Sequence, residues 1–158
     1  MTLFDELLWV HGMVRRDLAT VRELAGRVTN GLAPAEVAAE LERLKTHGPL
    51  WQLKAGCLQY CRFVHSHHNL EDAALFPMLR RVDPGLAPIV ERLESDHRRV
   101  SGLLDTVEAA AAALDDDEEA EARARVADAL DELASHLLEH LELEERSVGP
   151  AMARLGRA

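Results

Sequence analysis

Two short stretches of the sequence each place a histidine four residues before a glutamate. The first pair is His67 and Glu71, and the second pair is His140 and Glu144. Residues four apart on an α-helix share one face and lie about 6 Å apart along the axis, so each pair can reach one interior point. Imidazole nitrogens and carboxylate oxygens bind first-row metals, and a glutamate has two oxygens with which to bridge two ions. The spacing therefore predicts a metal centre inside a helical protein.

The two pairs belong to a weak internal repeat. The segments HHNLEDAALFP (67–77) and HLELEERSVGP (140–150) both reach a proline ten residues after the first histidine. Two further segments align around His11 and His97, and their apolar residues pair as Leu3 with Ile89, Leu7 with Leu93, Val14 with Val100 and Leu18 with Leu104. A single histidine on an apolar helix face is usually a core residue, but two at equivalent places in a repeat favour ligation. A pseudo-twofold bundle would bring four histidines and two glutamates to one level of the core.

Four long amphipathic segments must position these residues. The 3.6-residue apolar pattern and the Gly and Pro breakers predict helices over 3–29, 50–82, 86–114 and 118–147, with a short extra helix near 34–46. The pair Gly149-Pro150 is expected to end the last helix. No strand of any length is predicted. The fold class is therefore all-α: one domain over 1–158, an up-down-up-down antiparallel four-helix bundle with the extra helix between its first two long helices.

Composition excludes several classes of function. The net charge of -10 repels phosphate backbones and argues against nucleic acid as a partner. No stretch approaches the roughly 20 apolar residues of a membrane helix, and the N-terminal segment does not have the pattern of a secretory signal. The only cysteines, Cys57 and Cys61, are expected to be reduced and buried in a cytoplasmic protein.

The pattern formed by these histidines and glutamates resembles the hemerythrin-like (HHE cation-binding) domain family. HHNLEDAALFP is similar to that family's second-helix signature, and the resemblance covers nearly the whole chain. The resemblance implies a four-helix bundle that holds two iron ions, bridged by carboxylates and by an oxo or hydroxo group. It also implies terminal ligands and bridges as follows: the ligands are His11, His67, His97 and His140, and the bridges are Glu71 and Glu144.

The sequence departs from the oxygen-carrying hemerythrins, which have His-x-x-x-His in the third helix and His-x-x-x-x-Asp in the fourth. Ser101 stands four residues after His97, so one iron lacks a histidine, and the final carboxylate is Glu144. This departure argues against reversible oxygen carriage, and an open position suits a reactive centre. The pattern is instead similar to hemerythrin-like proteins linked to peroxide breakdown, iron sensing or nitric-oxide responses.

Several side chains are candidates for the open position. Tyr60 lies two turns before His67, and a phenolate can bind Fe(III); the alternative is a core tyrosine whose hydroxyl bonds a neighbour. His68, His136 and water are further candidates, although His68 reads more simply as an outer or surface residue and His136 as a polar interior position. Two acids that directly follow the bridging glutamates either accept an N–H from a ligating histidine or form a solvated face: Asp72 and Glu145.

The function favoured by this pattern is catalase-like decomposition of hydrogen peroxide at a carboxylate-bridged diiron centre. Iron would perform the redox chemistry, and the protein would fix its geometry. The alternative is a module that binds or senses oxygen, nitric oxide or iron without turnover and signals through a protein partner. Ferritin-like oxidation requires Glu-x-x-His on two helices, and this chain has one match, Glu94 to His97. A metal-free interaction protein would leave the repeated pattern unexplained.

Overall fold

A computed structural model describes residues 2–30, 49–115 and 120–155. Within these ranges the chain is helical apart from short connections, and it contains no strand. The main elements are α1 (Leu3–Asn30), α2 (Pro49–Leu70), a π-helical turn (Glu71–Leu75), α3 (Phe76–Val82), α4 (Ala87–Ala112) and α5 (Ala120–Leu155). Short 3₁₀ turns cover Pro84–Leu86 and Ala113–Asp115.

The long helices form an antiparallel four-helix bundle, which confirms the predicted fold class. Helix α1 packs against α2 and α5, and α4 packs against the same two helices from the opposite side. The extra helix expected near 34–46 lies outside the described residues. None of the described helices combines the length and the apolar character that a membrane crossing requires.

The apolar core is divided into two clusters. The larger one extends from the middle of the bundle toward the end of α1 and the start of α2, and it includes Leu18, Leu53, Leu104, Leu130 and Leu137. The smaller one lies at the opposite end and includes Leu7, Phe76, Leu79, Leu93 and Val148. Buried histidines and glutamates separate the two clusters along the sequence of every long helix.

Both cysteines lie in the larger apolar cluster. Cys57 and Cys61 are free and fully buried, as the sequence predicts. Burial raises the pKa of each thiol to about 12, and nearby carboxylates add to the effect at Cys61. Neither cysteine is therefore a thiolate at neutral pH, which argues for a packing role.

The predicted helix over 50–82 is interrupted where it meets the polar layer. The N–H of Phe76 donates to the carbonyl of Glu71, five residues back, which makes the segment Glu71–Leu75 a π-turn. Pro77 follows directly and has no N–H to donate. The extra residue in this turn changes the register of the helix between Glu71 and Pro77, and the chain continues as α3.

The predicted end of the last helix at Gly149-Pro150 is wrong. Helix α5 continues through Pro150 to Leu155, because Ala151 and Met152 bury themselves in the smaller apolar cluster. Pro150 itself is exposed, so its ring meets solvent. Gly149 lets the ring of Phe4 approach closely: a Cβ at this position would lie 2.7 Å from two ring carbons. Tertiary packing thus overrides the local breaker signal.

Candidate metal centre

Five histidines and two glutamates form the polar layer between the apolar clusters. Helix α1 contributes one histidine, the end of α2 two, α4 one and α5 one; the glutamates come from the π-turn and from α5. All are buried except His67, whose side chain is 10% exposed. The seven residues are His11, His67, His68, Glu71, His97, His140 and Glu144.

Each glutamate lies between two histidines. Nε2 of His67 and Nε2 of His97 lie 2.9 and 3.6 Å from Oε1 of Glu71. In the second half of the repeat, Nε2 of His140 and Nε2 of His11 lie 3.4 and 3.7 Å from Oε2 of Glu144. Each glutamate therefore faces a histidine of its own helix and one from a neighbouring helix, as the pseudo-twofold repeat predicts. The structure brings together all six histidines and glutamates that the repeat singles out.

The inward atoms of this layer have no hydrogen-bond partner. The set comprises Nε2 of all five histidines and both carboxylate oxygens of Glu71 and Glu144. His67 and Glu71 approach to 2.9 Å, but the two groups are not aligned for a hydrogen bond. Leaving a buried carboxylate without a counter-charge costs several kcal/mol. Bound cations remove that cost, so the orphaned atoms fit a metal site.

Three overlapping groups of these residues have ligand atoms close enough to share an ion. Within each group the ligand atoms lie within 4.8 Å of one another. The groups are His11, His67 and Glu71; His68, His97 and His140; and Glu71, His97 and Glu144. Because Glu71 belongs to two groups, it can connect adjacent ions.

Burial favours the neutral form of three of the imidazoles, those of His11, His97 and His140. Removal from water, followed by repulsion from neighbouring histidines, lowers the pKa of His97 to about 2. Burial also lowers the pKa values of His11 and His140, although carboxylate partners partly oppose the shift. A neutral imidazole has a free lone pair, so these side chains can bind a metal without first losing a proton.

Three histidines are oriented by carboxylates that bind the outer ring nitrogen. His97 Nδ1 donates to Asp72 over 2.8 Å, and His11 Nδ1 donates to Glu145 over 2.9 Å. These contacts favour the first of the two interpretations of Asp72 and Glu145, in which each acid accepts an N–H from a candidate ligand histidine. His140 Nδ1 donates to Asp96 over 3.2 Å. Asp96 was missed, because the contact joins two helices and has no signal in the spacing of the sequence. Such contacts fix the tautomer and leave Nε2 free to face the ions.

His68, which the sequence indicates only as a minor candidate for the open position, lies inside the polar layer. Its ring stacks on His97 with centroids 3.9 Å apart and an interplanar angle of 11°, and its centroid lies 5.4 Å from that of His140. His67 faces the other way, toward His11, with centroids 5.4 Å apart. Adjacent helical residues point about 100° apart. His67 and His68 can therefore both line a site that extends from α1 to α4. The interpretation of His68 as a surface residue is therefore wrong, because its side chain is buried, and its place in the polar layer favours its candidacy as a ligand.

Two other candidates for the open position lie elsewhere. The hydroxyl of Tyr60 donates to the carbonyl of Val14 over 3.2 Å within the larger apolar cluster. This contact favours the alternative interpretation, a core tyrosine, over ligation to iron. His136 Nε2 accepts from Arg99 over 3.2 Å at a polar surface cleft. His68 is thus the side chain best placed to supply the imidazole that Ser101 cannot.

Comparison with known proteins adds one finding. The family model described as Hemerythrin HHE cation binding domain matches residues 2–152, a range that contains every residue of the polar layer. Searches of curated proteins and of solved structures return no match.

Proposed function

Since the chain belongs to the Hemerythrin HHE cation-binding domain family, we propose that it holds two iron ions and decomposes hydrogen peroxide as a catalase does. The observation that carries the proposal is the convergence of five imidazole nitrogens and four carboxylate oxygens, all buried and without hydrogen-bond partners. These donors are too numerous for one ion, and the shared position of Glu71 supports a bridged pair. The choice of iron, with an oxo or hydroxo bridge, rests on the family.

The reaction needs no outside reductant. When bound, the iron pair supplies the redox chemistry: one peroxide is oxidised to dioxygen, and the two electrons and two protons it gives up reduce a second peroxide to two waters. The chain's own residues hold the centre in place. Asp72, Asp96 and Glu145 orient three imidazoles, and the two apolar clusters cover the layer on its two sides along the bundle.

The structure changes the argument for an open coordination position. His68 offers the imidazole that the third helix lacks, so the missing histidine at Ser101 no longer supports catalysis by itself. Five imidazoles and two bridging carboxylates still do not saturate two six-coordinate ions. A small exogenous ligand such as peroxide therefore has a place to bind.

The proposal is tested by metal analysis and oxygen release. Full-length protein produced with ample iron should contain about two irons per chain, show oxo-bridge absorption bands and release oxygen from peroxide faster than free iron. Glu144→Ala should lose both iron and activity, whereas Glu132→Ala, an exposed position on the same helix, should retain them. If iron-loaded protein releases oxygen no faster than free iron, the proposed peroxide reaction is contradicted.

A second function is favoured by His68. With it, the layer has five histidines and two carboxylates, the same number of each as the oxygen-carrier pattern, which suits reversible binding of oxygen or nitric oxide without turnover. Reduced protein exposed to oxygen distinguishes the two functions. A stable absorption band that disappears when oxygen is removed would indicate a binding or sensing module, which would need a protein partner for output. In either case the reactants are small molecules, and we place the protein in the cytoplasm, away from nucleic acid.

A further inference from the structure

Two cavities open beside the metal-centre residues, at places that the internal repeat makes equivalent. The first, of about 330 Å³, lies over His67 and Glu71 and is called the apolar groove; its walls include Val10, Leu70, Ala74, Met78 and Met152. The second, of about 570 Å³, lies over His140 and is called the polar cleft; its walls include Arg92, Asp96, Arg99, His136 and Arg146. His67 and His140 occupy the same position in the two halves of the repeat.

The two halves of the repeat differ in the residues that form the walls of these cavities. Val10 stands in the first copy where Asp96 stands in the second. Asp96 bonds both His140 and Arg92, so charged groups cover that side of the layer. The apolar groove gives His67 a hydrocarbon environment, and Glu6 is the only charged residue of its described lining besides Glu71. A neutral, apolar molecule is therefore suited to the groove, and a charged one is not.

The size of the apolar groove argues for an occupant larger than hydrogen peroxide. Its volume is about ten times the roughly 30 Å³ that a water molecule occupies in the liquid. It falls at the lower end of the range, roughly 300–1,000 Å³, typical of small-molecule sites. The side chain of Leu70 is 66% exposed at its mouth, so an apolar ligand would cover hydrocarbon that now faces water.

We propose that the apolar groove binds the alkyl or aryl body of an organic hydroperoxide, with its hydroperoxyl group at His67 and Glu71. This inference rests on the proposed function and names a substrate class for the same centre. With hydrogen peroxide as the second substrate, ROOH and H2O2 give ROH, H2O and O2. The O–O bond of ROOH breaks and takes up two electrons and two protons, which the oxidation of H2O2 to O2 supplies.

Binding is tested on the iron-loaded full chain with 2-phenyl-2-propanol, the alcohol product of cumene hydroperoxide, by titration calorimetry. Ala74→Phe fills the groove and should weaken binding by about tenfold or more. Ala73→Phe is the matched control, because Ala73 is equally exposed on the same turn but does not line the groove. The ratio of kcat/KM for cumene hydroperoxide to that for hydrogen peroxide should fall by about tenfold with Ala74→Phe and stay unchanged with Ala73→Phe.

A second variant tests the groove in case Ala74→Phe does not fold. Leu70→Glu adds a charge at the exposed mouth of the groove and should weaken alcohol binding, whereas Leu138→Glu, at an exposed leucine on α5, should not. Peroxide turnover without alcohol binding, or equal effects of Ala73→Phe and Ala74→Phe, would overturn the groove as a substrate site. Alcohol binding that depends on Ala74 in a protein without peroxide turnover would keep the binding site and reject the catalase-like function instead.

Discussion

The direction of each ligand imidazole depends on what its outer nitrogen binds. His11, His97 and His140 each donate through Nδ1 to a carboxylate on a different element, over 2.8 to 3.2 Å. A carboxylate partner makes the opposite nitrogen a stronger donor to a metal and fixes the plane of the ring. In the first half of the repeat, the residue equivalent to Asp96 is Val10, which is apolar and lies beside His67. The two halves of the centre share the histidines and the glutamate of the repeat, but they differ in outer support and in His68, whose counterpart is Leu141.

The outer carboxylate of His140 should affect metal affinity directly. Asp96→Asn keeps the shape of the side chain but removes the charge that stabilises the His140 tautomer. We expect the affinity for the ions to fall by about 10- to 100-fold, measured by competition with a chelator of known affinity. Glu91→Gln is the control, since Glu91 is an exposed acid on the same helix. Equal affinities for the two variants would show that the Asp96 contact does not support the centre.

His68 should be required for full metal occupancy. His68→Ala removes a buried imidazole whose Nε2 has no hydrogen-bond partner, so metal content should fall from about two ions per chain toward about one. Asn69→Ala is the control, because Asn69 is the next residue of the same helix and is exposed. Unchanged metal content in His68→Ala would assign His68 to packing against His97.

There is a physical reason why the sequence predicts some residues of the site and misses others. His11, His67, Glu71 and their counterparts could be predicted because the repeat places each at a fixed helical spacing. His68 and Asp96 could not be predicted in this way, because their roles depend on how α2, α4 and α5 are arranged around the site. The bundle turns the second histidine of His67-His68 toward α4, and it brings Asp96 to a histidine 44 residues away.

Helix boundaries depend on what each end packs against. Pro77 and Pro150 occupy equivalent positions of the repeat, and both lie inside helical segments, although the sequence predicts that Gly149-Pro150 ends a helix. At Pro77 the π-turn adjusts the backbone, and at Pro150 burial of Ala151 and Met152 outweighs one lost hydrogen bond. Sequence spacing alone predicts the number and order of the four long helices. It fails at Pro150 because the energy of burial is not a local property.

Gly149 should be required for the packing of α5 on α1. Gly149→Ala places a methyl group 2.7 Å from the Phe4 ring, and the overpacking should exceed the gain in helix propensity. We expect the free energy of unfolding to fall by about 1–2 kcal/mol in urea titrations of the iron-loaded protein. Gly102→Ala is the matched control: it meets no atom within 4 Å and should stabilise the protein by up to about 1 kcal/mol.

Shortening the opposing side chain provides a check on this cause. Phe4→Leu in the Gly149→Ala background should recover part of the lost stability, since the ring carbons nearest the new methyl group are gone. If Gly149→Ala is as stabilising as Gly102→Ala, close contact with Phe4 does not constrain this part of the helix.

Over the whole molecule, the polar layer separates two apolar clusters of unequal size. The larger contains most of the buried residues, and the smaller is formed by parts of α1, α3, α4 and α5 around Phe76 and Met152. Without cations, Glu71 and Glu144 place two buried carboxylates between the clusters at a cost of several kcal/mol. Bound ions would connect all four long helices at this level and join the two clusters into one cooperative structure.

Metal removal should therefore destabilise one end of the bundle more than the other. Each ion present at about 1,000 times its dissociation constant contributes about 4 kcal/mol, so removal of even one ion corresponds to a fall in Tm of about 8–16 °C for a chain of this size. Amide hydrogen exchange should accelerate most around the smaller cluster, at Leu7, Leu79 and Met152, and least around Leu53 and Leu130 in the larger one. Protein treated with chelator already saturated with metal is the control. Uniform acceleration through both clusters would mean that the ions stabilise the bundle as a whole and that the polar layer does not divide it.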